Sequence, residues 1–458
     1  MSTVAQADVA HLFHPYTNLV RHPETGPMVI VRGEGVRVFD ESGKDYIEGL
    51  AGLWCATLGW GEERLAEVAA AQMRQLPFYH LFTSKAHEPG VRLAEKLAQM
   101  APVPAAKVFL ACSGSEANDT AIKLIWYRNN ALGRPEKKKV IARERAYHGV
   151  TVATGSLTGL PVNQRSFDLP IDRILHTGCP HYWRYGEKGE SEEQFATRRA
   201  EELEKLILAE GPETVAAFFA EPVMGAGGVI VPPAGYFEKI QAVLKKYDVL
   251  LVADEVITGF GRTGNMFGCQ TFGIQPDMLT VAKGLSSGYL PISALIVAGH
   301  VYEPIKEEAG RIGVFGHGLT YGGHPVPAAV ALETLKIYAE RDIVAHVRRV
   351  APVLQDGLRA LQQHPLVGEA RGLGLIGALE LVADKDARTP FDPKLTVGAR
   401  VVAKAQAHGV ILRAMGDAVA FAPPLVISED EIRDMLARFL RGLDEAHGEL
   451  VAAGAVSQ

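Results

Sequence analysis

The chain has 458 residues, of which 47% are apolar and 22% are charged, and its formal net charge is −6. This length predicts about two or three domains of roughly 150 residues each, and the mildly acidic balance without a basic tract argues against nucleic acid or an anionic membrane as a partner. No apolar run approaches the ~18 residues of a membrane helix, and residues 1–15 lack the basic start and apolar stretch of a secretory signal.

The cysteines predict a reducing compartment. They are far apart and form no Cys-x-x-Cys pair: Cys55, Cys112, Cys179 and Cys269. This spacing is typical of free thiols in a cytoplasmic protein. His176, Cys179 and His181 lie close together in sequence, but zinc would need a further ligand or an open water position and no partner pair is near, so we expect no metal there.

Six short apolar runs rich in β-branched residues predict strands. In chain order they are residues 107–112, 139–142, 215–220, 249–253, 278–282 and 294–298. Helix-length segments separate them, which favours an α/β fold with a largely parallel sheet covered on both faces. Residues 191–210 predict a charged surface helix, and residues 428–448 predict a late amphipathic helix.

Polar side chains recur where these apolar runs end. Ser113–Glu116, Glu221, Asp254 and Lys283 each follow a predicted strand. In open α/β sheets, ligands bind in the crevice beyond the carboxyl ends of the strands. One polar residue can simply mark where a strand leaves the core, but four together favour a binding site.

The residue types at these ends suit a cofactor with a ring and a phosphate. A lysine directly after an apolar strand is partly desolvated, so we expect Lys283 to have a lowered pKa and to be able to form a Schiff base. A lysine at a domain edge that extends its amine to solvent would give the same sequence pattern. Asp254 needs a cation, either the pyridinium nitrogen of pyridoxal phosphate or an arginine of the fold. Ser113-Gly114-Ser115 opens a predicted helix at 116–128, where a phosphate or an ordinary serine N-cap fits equally well.

Two Gly-x-Gly-x-x-Gly segments, at 259–264 and 372–377, could be mistaken for a dinucleotide fingerprint. That fingerprint must open a helix directly after a strand. Neither segment is followed by a good helix start, so both predict turns. A nicotinamide-dependent dehydrogenase is therefore not favoured.

Longer motifs make the chain similar to a known family. They are residues 51–55 (AGLWC), 113–117 (SGSEA), 147–149 (YHG), 221–228 (EPVMGAGG), 254–264 (DEVITGFGRTG), 282–284 (AKG) and 320–325 (TYGGHP). Together they resemble the class III pyridoxal-phosphate-dependent aminotransferases, in the branch of ω-amino acid or amine:pyruvate transaminases.

The resemblance implies an architecture. It implies fold type I, with a large cofactor-binding domain and a smaller α+β domain built from both termini. The implied bounds are residues 66–324 for the large domain and residues 1–65 and 325–458 for the two parts of the small domain. It also implies a homodimer with active sites at the subunit interface, and it leaves open whether two dimers pair into a tetramer.

The resemblance also implies roles for individual residues. Lys283 would bind the cofactor as a Schiff base and shuttle a proton, and Asp254 would hold the protonated pyridine nitrogen. The other cofactor-binding residues it implies are Gly114 and Ser115 at the phosphate, Tyr147 and Val256 on the two ring faces, His148 and Gly149 beside Tyr147, Glu221 behind the ring, and Thr320 from the partner subunit. The substrate pocket it implies is lined by Trp54, Phe82 and Tyr147, with Arg413 binding a carboxylate.

The implied reaction is ping-pong transfer of an amino group from an amine donor to a keto acid, with pyruvate expected as acceptor. In the ornithine-type branch the Tyr147 motif would more often read Phe-His-Gly-Arg, whereas residue 150 is valine here, which argues against that branch. Two alternatives stay open. An aminomutase or decarboxylase would use the same lysine and aspartate, and a non-catalytic binding protein could retain the fold.

Overall fold

Within residues 1–456, the strands form three sheets. The computed structural model describes residues 1–456. In chain order the strands are β1 (Ile30–Glu34), β2 (Arg37–Asp40), β3 (Asp45–Glu48), β4 (Lys107–Ala111), β5 (Lys139–Arg143), β6 (Ile174–Thr177), β7 (Val215–Ala220), β8 (Leu250–Asp254), β9 (Met278–Val281), β10 (Ser293–Val297), β11 (Val367–Leu373), β12 (Ile376–Leu381), β13 (Val410–Ile411), β14 (Arg413–Met415) and β15 (Ala418–Phe421).

Helices connect most of these strands. In chain order they are α1 (Thr3–His11), α2 (His22–Thr25), α3 (Ala51–Trp54), α4 (Glu63–Gln75), α5 (Glu88–Met100), α6 (Gly114–Ala131), α7 (Val152–Leu157), α8 (Pro161–Gln164), α9 (Tyr182–Tyr185), α10 (Glu192–Glu210), α11 (Tyr236–Lys246), α12 (Gly268–Phe272), α13 (Gly299–Ile312), α14 (Pro325–Glu340), α15 (Ile343–Leu361), α16 (Val397–Ala407) and α17 (Glu429–Ala452). Short 3₁₀ turns span Lys283–Leu285 and Pro393–Leu395.

The largest sheet has seven strands in the order β4-β10-β9-β8-β7-β5-β6. Strand β10 runs antiparallel to both of its neighbours, β4 and β9, and the remaining pairs are parallel. The carboxyl ends of β4, β5, β6, β7, β8 and β9 therefore meet at one edge. This confirms the predicted α/β fold with a largely parallel sheet.

Apolar composition explains why these segments are strands. All six residues of β7 and all five of β8 are buried, as expected for strands covered on both faces. Helix α6 packs on β4, β9 and β10, and α11 packs on β8. Each of the six predicted runs lies on one of these strands, whereas β6 was not predicted because His176 and Thr177 interrupt its apolar character.

The terminal parts of the chain share a smaller sheet. Strand β13 pairs in parallel with β3, with Val410 opposite Ile47 and Ile411 opposite Glu48, so the order is β1-β2-β3-β13. A second antiparallel sheet has the order β11-β12-β15-β14. This pairing supports a small domain built from both termini, and the bounds 1–65, 66–324 and 325–458 stay a prediction.

The two predicted helices are present. Helix α17 begins after the N-cap Ser428, which forms a capping box with Glu431. Helix α10 likewise begins after the N-cap Ser191, and Phe195 is among the residues it buries against the core. The predicted charged helix at 191–210 thus has one apolar face.

Both glycine-rich segments are turns, as predicted. The second joins β11 to β12, with Gly372 opposite Gly377. In the first, Phe260 and Gly261 have φ values of +64° and +102°, in the left-handed region that helices do not use. Neither segment opens a helix.

The cysteines and the histidines of the 176–181 segment have separate surroundings in the structure. All four cysteines are free. His176 Nε2 lies 3.2 Å from the carbonyl oxygen of Leu157, whereas His181 Nε2 lies 2.7 Å from Glu369 Oε2, so the two imidazoles face different partners. Within residues 1–456, no helix is both long enough and apolar enough to cross a membrane.

Candidate active site

A cavity of about 710 Å³ lies where the carboxyl ends of β4, β7, β8 and β9 converge. Most of the predicted site residues line it: Trp54, Gly114, Ser115, Tyr147, His148, Gly149, Glu221, Asp254, Val256, Lys283 and Arg413. The topology of the sheet thus gathers residues that are widely separated in sequence. Their position supports the predicted roles, which stay predictions.

Lys283 lies directly after β9, at the start of a 3₁₀ turn. Its φ is +47°, a left-handed conformation that is uncommon for a residue with a side chain. The Nζ atom lies 5.2 Å from the centre of the Trp54 ring. Burial lowers the pKa of Lys283, and the negative charge of Asp254 only partly opposes this effect. A lowered pKa increases the fraction of neutral amine, which is the nucleophilic form.

Asp254 is the last residue of β8 and is 4% exposed. Its Oδ2 accepts a hydrogen bond of 2.7 Å from Asn118 Nδ2 and lies 2.8 Å from His148 Nδ1, while its Oδ1 accepts one of 3.1 Å from the Val256 amide. In the described part of the chain, no lysine or arginine nitrogen lies within 4.0 Å of this carboxylate. The alternative of an arginine partner from the fold is therefore wrong, and Asp254 remains available to a cation in the cavity.

The N-terminus of α6 forms one wall of the cavity. Ser113 is its N-cap: Ser113 Oγ accepts from the Glu116 amide at 3.2 Å, and Glu116 Oε2 accepts from the Ser113 amide at 3.2 Å. Gly114 and Ser115 are the first helical residues, so their N–H groups have no partner within the helix. A Cβ at Gly114 would lie 3.0 Å from Val256 Cγ2, so a side chain there would crowd the wall. Backbone donors at a helix N-terminus suit an anion such as phosphate.

Glu221 supports the backbone that carries Tyr147. It follows β7 and is buried, which raises its pKa. Glu221 Oε1 accepts from the Tyr147 amide at 3.0 Å, and its Oε2 accepts from the Gly225 amide at 2.8 Å. Two residues further, Gly149 has a φ of +135°, and a Cβ there would lie 2.5 Å from Ser115 Oγ. Only glycine lets these two segments approach so closely.

Trp54 lies at the end of a strained turn. The φ values of residues 51–54 are all positive, with +112° at Leu53 and +62° at Trp54. The Gly52 amide donates a hydrogen bond to Glu48, whose carboxyl pKa burial raises to about 7. Trp54 is 3% exposed and its indole Nε1 has no hydrogen-bond partner in the described structure. The turn places the centre of the Trp54 ring 5.2 Å from Lys283 Nζ and 5.4 Å from the guanidinium carbon of Arg413.

Arg413 begins β14 and lines the cavity. Its guanidinium carbon lies 5.4 Å from the centre of the Trp54 ring and 5.9 Å from that of Tyr16. Over the described residues, no carboxylate oxygen lies within 4.0 Å of its guanidinium nitrogens. Asp417, the alternative partner, accepts instead from the Gly398 amide at 3.0 Å. An arginine with free donors in a cavity is well suited to bind a carboxylate.

Two predicted residues, Phe82 and Thr320, do not line this cavity. Phe82 is 44% exposed and Thr320 is also exposed. The two belong to one surface, since a Cβ at Gly318 would lie 2.8 Å from Phe82 Cζ. Nearby, the rings of Phe78 and Tyr321 are 5.4 Å apart. Phe82 and Thr320 therefore lie exposed on a surface outside the cavity lining of their own chain.

Sequence reasoning missed several residues of the cavity. Pro15 and Tyr16 reach it from the N-terminal segment, and Leu53, Asn118 and Ile257 also line it. Asn118 lies four positions after Gly114, so helical periodicity could have placed it on the same face of α6. No local sequence signal could have predicted that Tyr16 lines the cavity.

The free groups of the cavity match the parts of pyridoxal phosphate. Asp254 has no lysine or arginine nitrogen within 4.0 Å among the described residues, so it can pair with a pyridinium nitrogen, and the N-terminus of α6 offers free backbone donors for a phosphate. Asn118 Oδ1 is buried without a hydrogen-bond partner in the described structure, so it can accept from a polar group of a ligand. The residues present therefore fit this cofactor.

Comparison with known proteins gives a consistent result. Residues 20–443 match the family model described as aminotransferase class-III. Two tomato (Solanum lycopersicum) proteins are similar over most of the chain. Gamma aminobutyrate transaminase 3, chloroplastic, is 50% identical over 95% of this chain and 84% of its own length, and gamma aminobutyrate transaminase 1, mitochondrial, is 51% identical over 94% and 84%.

Solved structures with the same fold include an omega transaminase from Pseudomonas jessenii in complex with PMP. It is 56% identical, with a TM-score of 0.96, over 98% of this chain and 99% of that one. A structure described as a transaminase with L-ala is 60% identical, with a TM-score of 0.91, over 92% and 100% of the two chains.

Proposed function

The chain belongs to the class III aminotransferases, and from this premise we propose that it transfers an amino group from a primary amine or ω-amino acid to pyruvate. The observation that carries this choice is Arg413, a cavity arginine without a carboxylate partner among the described residues, close to Lys283 and Asp254. The gamma-aminobutyrate transaminases among its relatives support an ω-amino acid donor, and the similar transaminase with L-ala supports alanine as the product formed from pyruvate.

The enzyme uses pyridoxal 5′-phosphate, as class III aminotransferases do. Lys283 and Asp254 would hold its aldehyde carbon and its ring nitrogen, and the N-terminus of α6 would hold its phosphate. When bound, this cofactor supplies an electron sink for the carbon that carries the amino group. Tyr147 and Val256, which both line the cavity, would pack on the two faces of the ring and fix its plane.

Lys283 would carry the proton. Because burial lowers its pKa, Nζ is neutral at a lower pH than an exposed lysine and can accept the proton next to the donor nitrogen. Within each half-reaction Nζ would pass on the proton that it has accepted, and the reverse sequence with the keto acid would deliver a proton to the carbon that receives the amino group. Asp254 stays in place because the side chains of Asn118 and His148 hold it.

A donor panel tests the proposed substrates. Purified holoenzyme is given gamma-aminobutyrate, β-alanine or an arylalkylamine, each with either pyruvate or 2-oxoglutarate. We expect equimolar carbonyl product and alanine with pyruvate, and much less glutamate with 2-oxoglutarate. Release of carbon dioxide or an isomerised amino acid without alanine would instead indicate a decarboxylase or an aminomutase.

Arg413→Ala is expected to weaken recognition of pyruvate. A bidentate charged hydrogen bond contributes about 1.5–3 kcal/mol, so the KM for pyruvate should rise by roughly 10- to 150-fold. An arylalkylamine donor has no carboxylate, and its half-reaction should stay within a few-fold of wild type. Measuring the two half-reactions separately, by single-turnover absorbance, distinguishes them.

Two further variants complete this experiment. Arg413→Lys keeps the charge but not the planar fork, so it should recover only part of the loss. Arg400→Ala removes an exposed arginine of α16 and should change neither half-reaction. Equal losses for pyruvate and the arylalkylamine in Arg413→Ala would mean that Arg413 supports the fold and does not bind the substrate carboxylate.

We also propose a homodimer in which Phe82 and Thr320 complete the site of the partner subunit. Support comes from their exposure and from their absence among the residues that line the cavity of their own chain. The surface they share is apolar, with Phe78 38% and Tyr321 62% exposed. His317, which stacks on Phe109 with ring centres 5.2 Å apart, anchors the loop that carries Thr320.

Mixing two inactive variants tests this arrangement. Lys283→Ala and Thr320→Asp subunits are each expected to be inactive alone, and subunit exchange should restore up to one active site per mixed dimer. If Thr320 acts in trans, one site of the mixed dimer carries both lesions and the other is intact. If it acts in cis, each site carries one lesion and no activity returns. As the control, each variant is taken through the same subunit-exchange procedure alone, without the other variant.

A cytoplasmic location is the last part of the proposal. The four free cysteines support it, because disulfides are rare in reducing compartments. The tomato relatives carry chloroplastic and mitochondrial in their names. Cell fractionation in the source organism, with this chain detected by antibody, would decide between a cytoplasmic and an organellar location.

A further inference from the structure

Three metal-ligating side chains meet in the N-terminal segment, outside the cavity lining. Asp8 lies on α1, His14 follows that helix, and His22 begins α2. His14 Nε2 lies 2.7 Å from Asp8 Oδ2, and His22 Nε2 lies 2.9 Å from Asp8 Oδ1. One ligand atom from each of the three lies within 4.8 Å of the others.

The three side chains are largely shielded from solvent, with exposed fractions of 13% for Asp8, 25% for His14 and 11% for His22. The two imidazole rings are 4.4 Å apart at an angle of 49°, and each directs its Nε2 to a different oxygen of the Asp8 carboxylate. A small ion could reach this point while protein atoms cover most of it.

We propose that Asp8, His14 and His22 bind a divalent transition-metal ion, with zinc as the preferred ion. Two imidazoles and one carboxylate are a ligand set that zinc uses when its remaining positions hold water. Zinc bonds of about 2.1 Å in tetrahedral geometry separate neighbouring ligand atoms by about 3.4 Å. The observed separations of 2.7 and 2.9 Å would open by about 0.5–0.7 Å on metal binding, which a rotation of these side chains can supply.

A second cluster shows why charge favours the Asp8 site. His181, Glu369 and Glu380 are similarly close, but Arg371 lies 2.6 Å from Glu369 and 2.7 Å from Glu380. That guanidinium already neutralises the two carboxylates. Within residues 1–456, no lysine or arginine nitrogen lies within 4.0 Å of Asp8, so an incoming cation meets no competing charge.

Metal binding at this site would fix the entrance of the active site. Residues 12–21 connect α1 to α2, and they include Pro15 and Tyr16, which line the cavity. An ion held by Asp8, His14 and His22 links α1 to α2 and so ties the two ends of this segment together. Bound metal therefore restrains Tyr16 without taking part in amino-group transfer.

Equilibrium dialysis of the metal-stripped holoenzyme against Zn²⁺, with metal analysis, tests the proposal. We expect about one Zn²⁺ per wild-type chain, and a loss of affinity of more than about tenfold in His22→Gln and Asp8→Asn. His11→Gln changes an exposed histidine of the same helix and should bind as wild type does. Co²⁺ in place of Zn²⁺ should give visible absorption that His22→Gln loses.

Hydrogen exchange provides a second readout. Amides of residues 12–25 should exchange more slowly with Zn²⁺ in wild type and His11→Gln, and at an unchanged rate in His22→Gln. Equal Zn²⁺ binding by all variants would place the metal elsewhere. Absence of binding by wild type would mean that the three side chains form only a hydrogen-bonded cluster, and either result overturns the proposal.

Discussion

Replacing Lys283 by alanine is expected to abolish multiple turnover of every amine donor with every keto acid. The lysine is expected both to hold the cofactor covalently and to move a proton off or onto the reacting carbon in each half-reaction, and the described cavity residues offer no second lysine. A water molecule cannot replace Lys283, because the base must be held next to one particular proton. The loss of turnover is measured as the rate of alanine formation from pyruvate, with alanine quantified by chromatography.

The control experiments separate chemistry from folding. Lys283→Arg keeps a positive charge but cannot form the covalent link, so it should be as inactive as Lys283→Ala. Lys245→Ala removes an exposed lysine at the end of α11 and should retain wild-type activity. After borohydride reduction, mass spectrometry should find cofactor attached to wild type and Lys245→Ala only. Near-normal multiple turnover by Lys283→Ala would refute the assignment.

Asp254→Asn is expected to slow the half-reaction with amine by more than ~10²-fold, the scale of one lost electrostatic partner in a preorganised site. A neutral amide can still accept the hydrogen bonds of Asn118 and His148, but it cannot hold a proton on the ring nitrogen. The cofactor should therefore remain bound while its capacity to accept electrons falls. Stopped-flow absorbance in single-turnover conditions measures this rate.

Asp277→Asn is the matched control for this variant. Asp277 precedes β9 and accepts a hydrogen bond of 2.7 Å from the Leu251 amide, away from the residues that line the cavity. Its conversion to asparagine should leave the half-reaction within a few-fold of wild type. If Asp254→Asn behaves in the same way, Asp254 does not support the ring nitrogen.

The parts of the fold that follow from local pattern could be predicted. Strand β7, with six consecutive buried residues, is recognisable because a parallel strand covered on both faces must be apolar throughout. Asp254 and Lys283 were found because polar residues at the ends of such strands share one edge of the sheet. Here the period of the sequence and the topology of the sheet give the same answer.

The parts of the fold that depend on contacts between residues far apart in sequence could not be predicted. The register of β3 with β13, in which Val410 faces Ile47, joins residues too far apart for any periodicity to relate them. Tyr16 enters the cavity because of how the N-terminal segment packs. Asn118 was missed for a different reason: an asparagine inside a helix is usually exposed, and its burial follows from the position of α6 against β9.

The left-handed turn at residues 51–54 bears on how readily this enzyme could acquire new donors in evolution. Glycine adopts a φ of +62° without the steric penalty that Trp54 experiences there. The indole nitrogen has no hydrogen bond to lose within the described structure. Relief of backbone strain and of an unpaired polar group would offset part of the packing lost on truncation. Replacing Trp54 by glycine is therefore expected to enlarge the cavity at a reduced cost to folding, so that one substitution can change the size of donor that fits.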